Sequence, residues 1–285
     1  MRKNFSLSVD SDEFPNLPRE DMIEANQFAA LKLALKTDKP YVLYIDSDRL
    51  SLALNYYPEE SVERFNGALR KANESSKVIS FARSPRAINT HISSLVLTEN
   101  IIHHFYNRHL NIGQEFVDVA AAAYFVRSED LRKSVEQYKG GKFLRVRCNF
   151  PQPKILLDIV NRTGRGLDSI MTDNMLRYEA PEQMRNDGRI VFDRHEWTPE
   201  CYEEVTLRSR SVQEEIMQNP AEWKSRFTNV AQYLKILDRL WLNPRGKSDN
   251  GLTEAVLEVN RILDDEGIAV DDYRENAARL FWKYN

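Results

Sequence analysis

The sequence predicts an α/β fold: a mainly parallel sheet flanked by helices, with a helical extension at its carboxyl end. Three observations predict it. A short apolar run, Tyr41-Val-Leu-Tyr-Ile45, follows Lys39-Pro40 and stops at Asp46-Ser-Asp48, as a buried strand of a parallel sheet does. Strand-like runs alternate with stretches of helical period from Phe5 to Phe192. Beyond Gln218 only helical periodicity remains.

Taken in order, Phe5-Ser-Leu-Ser-Val9 alternates like a strand and enters a polar turn, Asp10 to Pro15. Glu20 to Leu35 reads as a helix with Met22, Ile23, Phe28, Leu31 and Leu35 near one face. A right-handed crossover then places Phe5–Val9 and Tyr41–Ile45 in one parallel sheet, with Asp10, Asp46 and Asp48 at the same edge. Glu59 to Asn73 is an amphipathic helix expected to turn Val62, Phe65 and Leu69 inward, and Lys77 to Ala82 is the next strand, ending in Arg83-Ser-Pro-Arg86. A helix follows from Ser94 to Arg108. Tyr124-Phe-Val126 leads to Ser128 as the N-cap of another helix, with Asp130 in its first turn and Leu131 buried.

Gly140 to Asn149 reads as a strand and Pro151 to Val160 as a loop and short helix. A helix is expected from Asp168 to about Met184, a short strand over Arg189–Asp193, and a charged helix from Glu200 to Gln218. Three helices close the chain, Asn229 to Leu242, Leu252 to Asp265 and Asp271 to Lys283, separated by Asn243-Pro-Arg-Gly246 and Glu266-Gly267. The expected division is a main domain over 1–218 and a helical extension over 219–285, the latter offering a surface for packing or homo-oligomerisation.

The chain has 285 residues, 42% of them hydrophobic, enough for a sizeable core. A formal charge of -3 gives no global attraction to nucleic acid or to an anionic membrane. Two cysteines, Cys148 and Cys201, are too few for a disulfide framework or a zinc knuckle and suit a reducing compartment. No stretch reaches the roughly 18 apolar residues of a membrane span, and Met1-Arg-Lys-Asn-Phe-Ser lacks an apolar signal core, so the expected location is cytoplasmic.

The chemistry-bearing residues concentrate at a few places. Asp46 and Asp48, two apart in extended backbone, share one side and suit a divalent cation and, through it, a diphosphate; a solvated turn has the same composition. His91, His103, His104 and His109 fall in one stretch, but their spacings match no helical metal pair. The four alanines of Val119-Ala-Ala-Ala-Ala-Tyr124 allow close approach, either of packed elements or of a bulky ligand. Asn161-Arg-Thr-Gly-Arg-Gly166 is a cationic loop able to hold phosphate through Arg162, Arg165 and free backbone N–H groups, or simply to be solvated. Asp168 and Asp173 lie where carboxylates also complement a helix dipole.

In their order along the chain, roughly from Ser6 to Gln218, these features resemble the nucleotide-sugar glycosyltransferases of GT-A type. The resemblance rests on Tyr44-Ile-Asp-Ser-Asp48, on Asp118-Val-Ala-Ala-Ala-Ala-Tyr-Phe-Val-Arg-Ser-Glu129, on Leu167-Asp-Ser-Ile-Met-Thr-Asp173, on Gly188-Arg-Ile-Val-Phe192 with His195 after it, and on Leu207-Arg-Ser-Arg-Ser211. The stretch before Asp46 is short for that family, and the Trp that accompanies the Arg-rich element in processive relatives is absent.

The resemblance implies a mixed, mainly parallel sheet and transfer of a sugar from a nucleoside-diphosphate sugar to a hydroxyl acceptor. It further implies Mn²⁺ or Mg²⁺ held by Asp46, Asp48 and His195; donor contacts from Asp10, Asp46, Arg162, Arg165 and Arg208; acceptor contacts from Asp118 and Tyr124; and Asp168 or Asp173 as general base if the reaction inverts. Two alternatives stand beside it. One is a degenerate, non-catalytic domain of the same type that binds a partner through its C-terminal helices. The other is a haloacid-dehalogenase-type phosphatase, which uses Asp-x-Asp as nucleophile and acid/base and expects a downstream Gly-Asp-x-x-x-Asp, against which Gly166-Leu-Asp168 and Asp173 fit poorly.

Overall fold

A computed structural model of the chain describes residues 29–45, 50, 58–84, 87–88, 93–110, 117–120, 123–139, 152–172 and 218–284. The expected strands at Phe5–Val9, Gly140–Asn149 and Arg189–Asp193 lie outside these residues, as does the expected charged helix Glu200–Gln218 apart from Gln218. Within them the chain is α/β, with a four-stranded mixed sheet between helices. The strands are β1 (Tyr41–Ile45), β2 (Val78–Arg83), β3 (Ala123–Arg127) and β4 (Leu167–Thr172), in the order β1-β3-β2-β4. β3 runs antiparallel to both neighbours and β4 pairs parallel with β2, so β1, β2 and β4 all point the same way.

Alternation along the strands divides the side chains between two cores. On one face Ile79, Phe81, Ala123, Phe125 and Ile170 meet helix α1 (Pro58–Ser75). The inward side of α1 is Ser61, Phe65, Ala68 and Ala72, whereas Val62 and Leu69, expected to face in, are exposed. Three of these four inward residues are small, and a Cβ on Gly67 would meet Ile170 Cδ1 at 3.5 Å, an ordinary packing distance. The strand buried throughout is β2, six residues long, and not β1, in which Val42 alone is buried.

On the other face Val42, Val78, Tyr124, Val126 and Leu167 join a larger core with helices α2 (Ser93–Leu110), α3 (Ser128–Lys139) and α4 (Gln152–Thr163). The same core continues into α5 (Pro220–Leu237), α6 (Asn250–Asp264) and α7 (Val270–Tyr284). Helix α2 has no polar outer side to spare, because α5 and α7 both pack on it. Phe105 and Ile101 are fully buried there, the Tyr106 hydroxyl donates to the Tyr233 carbonyl at 2.9 Å, and the Phe105 and Tyr284 rings lie 5.1 Å apart.

Two elements differ from the sequence reading. The helix expected from Asp168 begins instead as β4, since every residue from Leu167 to Thr172 pairs with its counterpart in β2 and Leu167 and Ser169 turn inward. The first C-terminal helix starts at Pro220 rather than Asn229: the Asn219 side chain accepts from Ala221 N–H, proline occupies the first turn, and Trp223 and Phe227 fill the core. That helix widens into a π turn, Asp238–Leu242, and then tightens into a 3-10 turn, Asn243–Arg245, and Gly246 takes a positive φ of 62° to end it. No helix among the described residues is long and apolar enough to cross a membrane.

If α2 couples the sheet to the C-terminal helices, Phe105→Ala should lower the unfolding free energy by about 3–5 kcal/mol. Urea titration followed by both tryptophan fluorescence and far-UV dichroism checks this, with the two probes remaining coincident.

Candidate functional site at the carboxyl edge of the sheet

Because β1, β2 and β4 point the same way, their carboxyl ends Ile45, Arg83 and Thr172 share one edge. The reversed β3 enters there, Ala123 pairing with Ile45, while Arg83 pairs with Thr172. Open α/β sheets place ligands at this edge. Asp46 continues directly from Ile45 and Asp173 from Thr172. Asp46, Asp48 and Asp173 themselves lie outside the described residues, as do Asp10, His195 and Arg208.

The described part of the edge is built around Asp118, whose carboxylate is wholly buried. Its Oδ2 accepts from the Arg83 backbone N–H at 3.2 Å and from Arg83 Nε at 2.6 Å, and its Oδ1 accepts from Arg83 Nη2 at 2.9 Å and from Ala120 N–H at 3.2 Å. His103 Nε2 stands 3.0 Å from Oδ1, and Arg83 Nη2 also donates to Glu99 Oε2 at 2.6 Å. Burial opposes the charge on Asp118, yet Arg83 and then His103 outweigh it and hold the carboxyl well below the usual carboxylate range. Burial likewise opposes the charge on Arg83, and the Glu99 and Asp118 carboxylates overcome it. A cavity of about 10 Å³, room for one water, lies against Arg83, Glu99, Asn100 and His103.

The same loop is held by its neighbours. Asn107 on α2 donates from Nδ2 to the Val117 carbonyl at 2.8 Å and accepts the Val117 N–H at 2.7 Å. Ser80 Oγ donates to the Asp118 carbonyl at 3.1 Å, and the Tyr124 hydroxyl to the Val119 carbonyl at 2.6 Å. Asp118 and Tyr124, read from the resemblance as acceptor contacts, therefore spend their polar atoms on the chain itself. In the sequence Arg83 stands out only as the end of a strand and His103 only as one of four clustered histidines, and nothing there links either to Glu99 or to Asp118. The signal available was an arginine closing an otherwise apolar strand, beside a histidine and a glutamate one helical turn apart.

Three other expected site residues stand away from this edge. Arg162 donates from Nη2 to the Asp130 carbonyl at 2.7 Å and to Ser134 Oγ at 2.9 Å, and Arg165 Nη1 lies 3.1 Å from Asp130 Oδ2. Asp130 opens α3, directly beyond the carboxyl end of β3, and the reversal of β3 puts that end opposite Tyr41. Asp168 pairs with Ile79 near the start of β2 and meets Lys71 Nζ at 2.9 Å and Lys77 Nζ at 3.9 Å. All three sit toward the amino edge, the far side of the sheet from Ile45, where they tie strands and helices together. Arg162, Arg165 and Asp168 are thus removed from the edge where β1 ends at Ile45 and β4 at Thr172.

A larger, open cavity of about 380 Å³ lies between the end of α2 and the start of α6, against Arg108, His109, Ser248 and Asp249. Asp249 caps α6, accepting from Gly251 N–H at 2.8 Å and Leu252 N–H at 3.2 Å, and His109 Nε2 lies 2.7 Å from its other oxygen. Burial opposes the charge on Asp249, but the Leu252 N–H and His109 outweigh it and lower its pKa. Among the described residues no three His, Cys, Asp or Glu side chains are grouped to hold a metal. Comparison of the chain with protein-family models, with curated proteins and with solved structures found no match.

Replacing Asp118 by Asn should cost about 3–5 kcal/mol, because it leaves the buried Arg83 guanidinium short of a counter-charge. Since the folded pKa of Asp118 is depressed, its contribution is complete above the unfolded value of about 3.9 and is lost as pH falls through the folded one. The stability of Asp118→Asn should accordingly fall less steeply below about pH 4 than that of the wild type. Urea unfolding repeated across that pH range measures both effects.

Proposed function

We propose that the chain is a nucleotide-sugar glycosyltransferase domain of GT-A type, moving a sugar from a nucleoside-diphosphate donor to a hydroxyl acceptor. The observation that supports this reading is the common direction of β1, β2 and β4: β1 and β4 lead into Asp46 and Asp173 at the edge where Asp118 binds Arg83 at the end of β2. A mixed sheet flanked by helices is the architecture that the reading requires.

Asp46 and Asp48 supply hard oxygen donors suited to Mg²⁺ or Mn²⁺, with His195 as the third ligand. Held there, such an ion would supply Lewis-acid chemistry and offset charge on a leaving diphosphate. Arg208 remains the donor-binding arginine and Asp10 the nucleoside contact, since Arg162 and Arg165 are engaged at the other edge. In an inverting reaction Asp173, next to Thr172, takes the acceptor proton as general base, and Asp168 does not. The location of Asp168 also weakens the phosphatase alternative, which needs it beside Asp46. The partner-binding alternative draws on one observation: Trp282 on α7 is 78% exposed, an aromatic anchor of the kind interfaces use.

Calorimetric titration of UDP and GDP in the presence of Mn²⁺ tests the reading. The expected result is metal-dependent binding of one of them to the wild type and its loss in Asp48→Ala. No binding of either nucleotide, with a stable complex or dimer that Trp282→Ala dissolves, is the result that selects the partner-binding domain instead.

A further inference from the structure

Trp282 on α7 is 78% exposed, and Leu257 on α6 is 53% exposed. Each stands opposite the buried side of its own helix. Leu257 lies two residues from Ala255 and Val259, and Trp282 two residues from Leu280 and Tyr284; all four are buried, and positions two apart on a helix point nearly opposite ways. Lys283 Nζ reaches Glu254 Oε1 and Glu258 Oε1, each at 2.9 Å, and these carboxylates flank Leu257 along α6. Trp282 and Leu257 therefore stand at one level on neighbouring helices, an apolar pair outside the seam that the lysine closes. Phe281 meets the indole edge-on, 5.1 Å between ring centroids, and limits its rotation. A lone exposed leucine is ordinary surface, but an exposed Trp with an apolar neighbour on the next helix has the composition of an interface centre.

The charges along α7 identify the occupant. Before Ala278 the helix carries Asp271, Asp272 and Glu275 against Arg274 alone; after it come Arg279 and Lys283 and no acid. Asp271, Glu275, Ala278 and Trp282 follow at spacings of four, three and four, so they form a single stripe. A face acidic at one end and basic at the other is complementary to itself when reversed. One antiparallel register sets Glu275 against Arg279 of a second copy and also Asp271 against its Lys283, because each pair of like charges is one turn apart. Arg279 already meets Glu258 Oε1 at 3.2 Å, and its half-exposed guanidinium keeps donors for a second carboxylate. The same register lays each Trp282 between Asp271 and Glu275 of the other copy, where the indole N–H has a carboxylate to donate to. Ala278, near the middle, leaves room for the helices to approach.

We propose that the outer face of α7, with Leu257 of α6, is a two-fold interface at which two copies of this chain pair antiparallel. In a two-fold contact each half of a patch meets the other half of its twin, which is what the charge order of α7 requires; parallel helices would set Asp271 against Asp271. The inference does not rest on the glycosyltransferase reading, and the two fail separately: nucleotide titration leaves this face untested, and the experiments below involve no nucleotide.

Sedimentation equilibrium of the full chain from about 1 µM to about 300 µM should show a concentration-dependent dimer. Trp282→Ala should weaken it about thirtyfold or more, and added salt should weaken it further by screening the ion pairs at its rim. Since Trp282 is exposed, the variant should keep the wild-type unfolding midpoint at the lowest concentration, which separates dissociation from misfolding. The register is read by mixing ¹⁵N-labelled and unlabelled chains, treating them with a carbodiimide and digesting them. A Lys283–Asp271 amide should join labelled to unlabelled peptide, whereas Lys283–Glu254 and Lys283–Glu258 amides should stay within one isotope. Twelve residues of helix separate Asp271 from Lys283, about 18 Å, too far for a zero-length link within one copy.

A monomer at every concentration overturns the inference, whatever other partner Trp282 then takes up. So does a dimer that Trp282→Ala leaves intact, or one whose mixed-isotope links all lie elsewhere.

Discussion

A guanidinium and a carboxylate removed from water must satisfy one another almost completely, and the pairing of Arg83 with Asp118 is the constraint around which this molecule is arranged. Among the described strands Arg83 closes the most buried and Asp118 precedes the one that runs reversed, and α2 brings Glu99 and His103 to the same point. Meeting that requirement fixes the end of β2, the entry of β3 and the rotation of α2 about its axis at once. The sheet edge inherits its shape from these three placements. Removing either partner leaves a buried charge short of its counter-charge, which is why the pair is costly to break although it adds little net stability.

Much of the fold is legible in the sequence, and the reasons are local. Tyr41–Ile45 and Val78–Arg83 declare themselves through apolar runs bounded by turn residues, and α2, α6 and α7 through apolar residues at helical spacing. Leu131 is buried as expected, in a helix that follows Tyr124-Phe-Val126. Errors arise where a distant partner decides. Leu167-Asp-Ser-Ile-Met-Thr172 carries acidic and helix-compatible residues, and only the free hydrogen-bonding edge of β2 makes it a strand. On α1 a hydrophobicity count favours Val62 and Leu69 as the inner face, but the residues buried there are Ser61, Ala68 and Ala72.

The candidate site was less legible than the fold, for a topological reason. Composition can say that Arg162, Arg165 and Asp168 are charged residues near a strand, but not at which end of the sheet they stand. That depends on β3 running against its neighbours, a property of pairing that no single segment carries. One reversal therefore separates residues that look equivalent in sequence into those beside Ile45 and those beside Tyr41. The partners that build the edge, Arg83, Glu99 and His103, come from two elements joined only through Asp118, and no motif spacing links them.

Helix α2 has both long sides covered, the inner by the sheet and the outer by residues as far along the chain as Tyr233 and Tyr284. On the ribosome, Ile101, Phe105 and Tyr106 are made long before the helices that shelter them. A nascent chain that has finished its sheet still presents an apolar groove along α2 until α5 and α7 emerge. The interval between the two is a window for chaperone capture or for misassociation between neighbouring chains on one message, and slow translation beyond Gln218 would widen it.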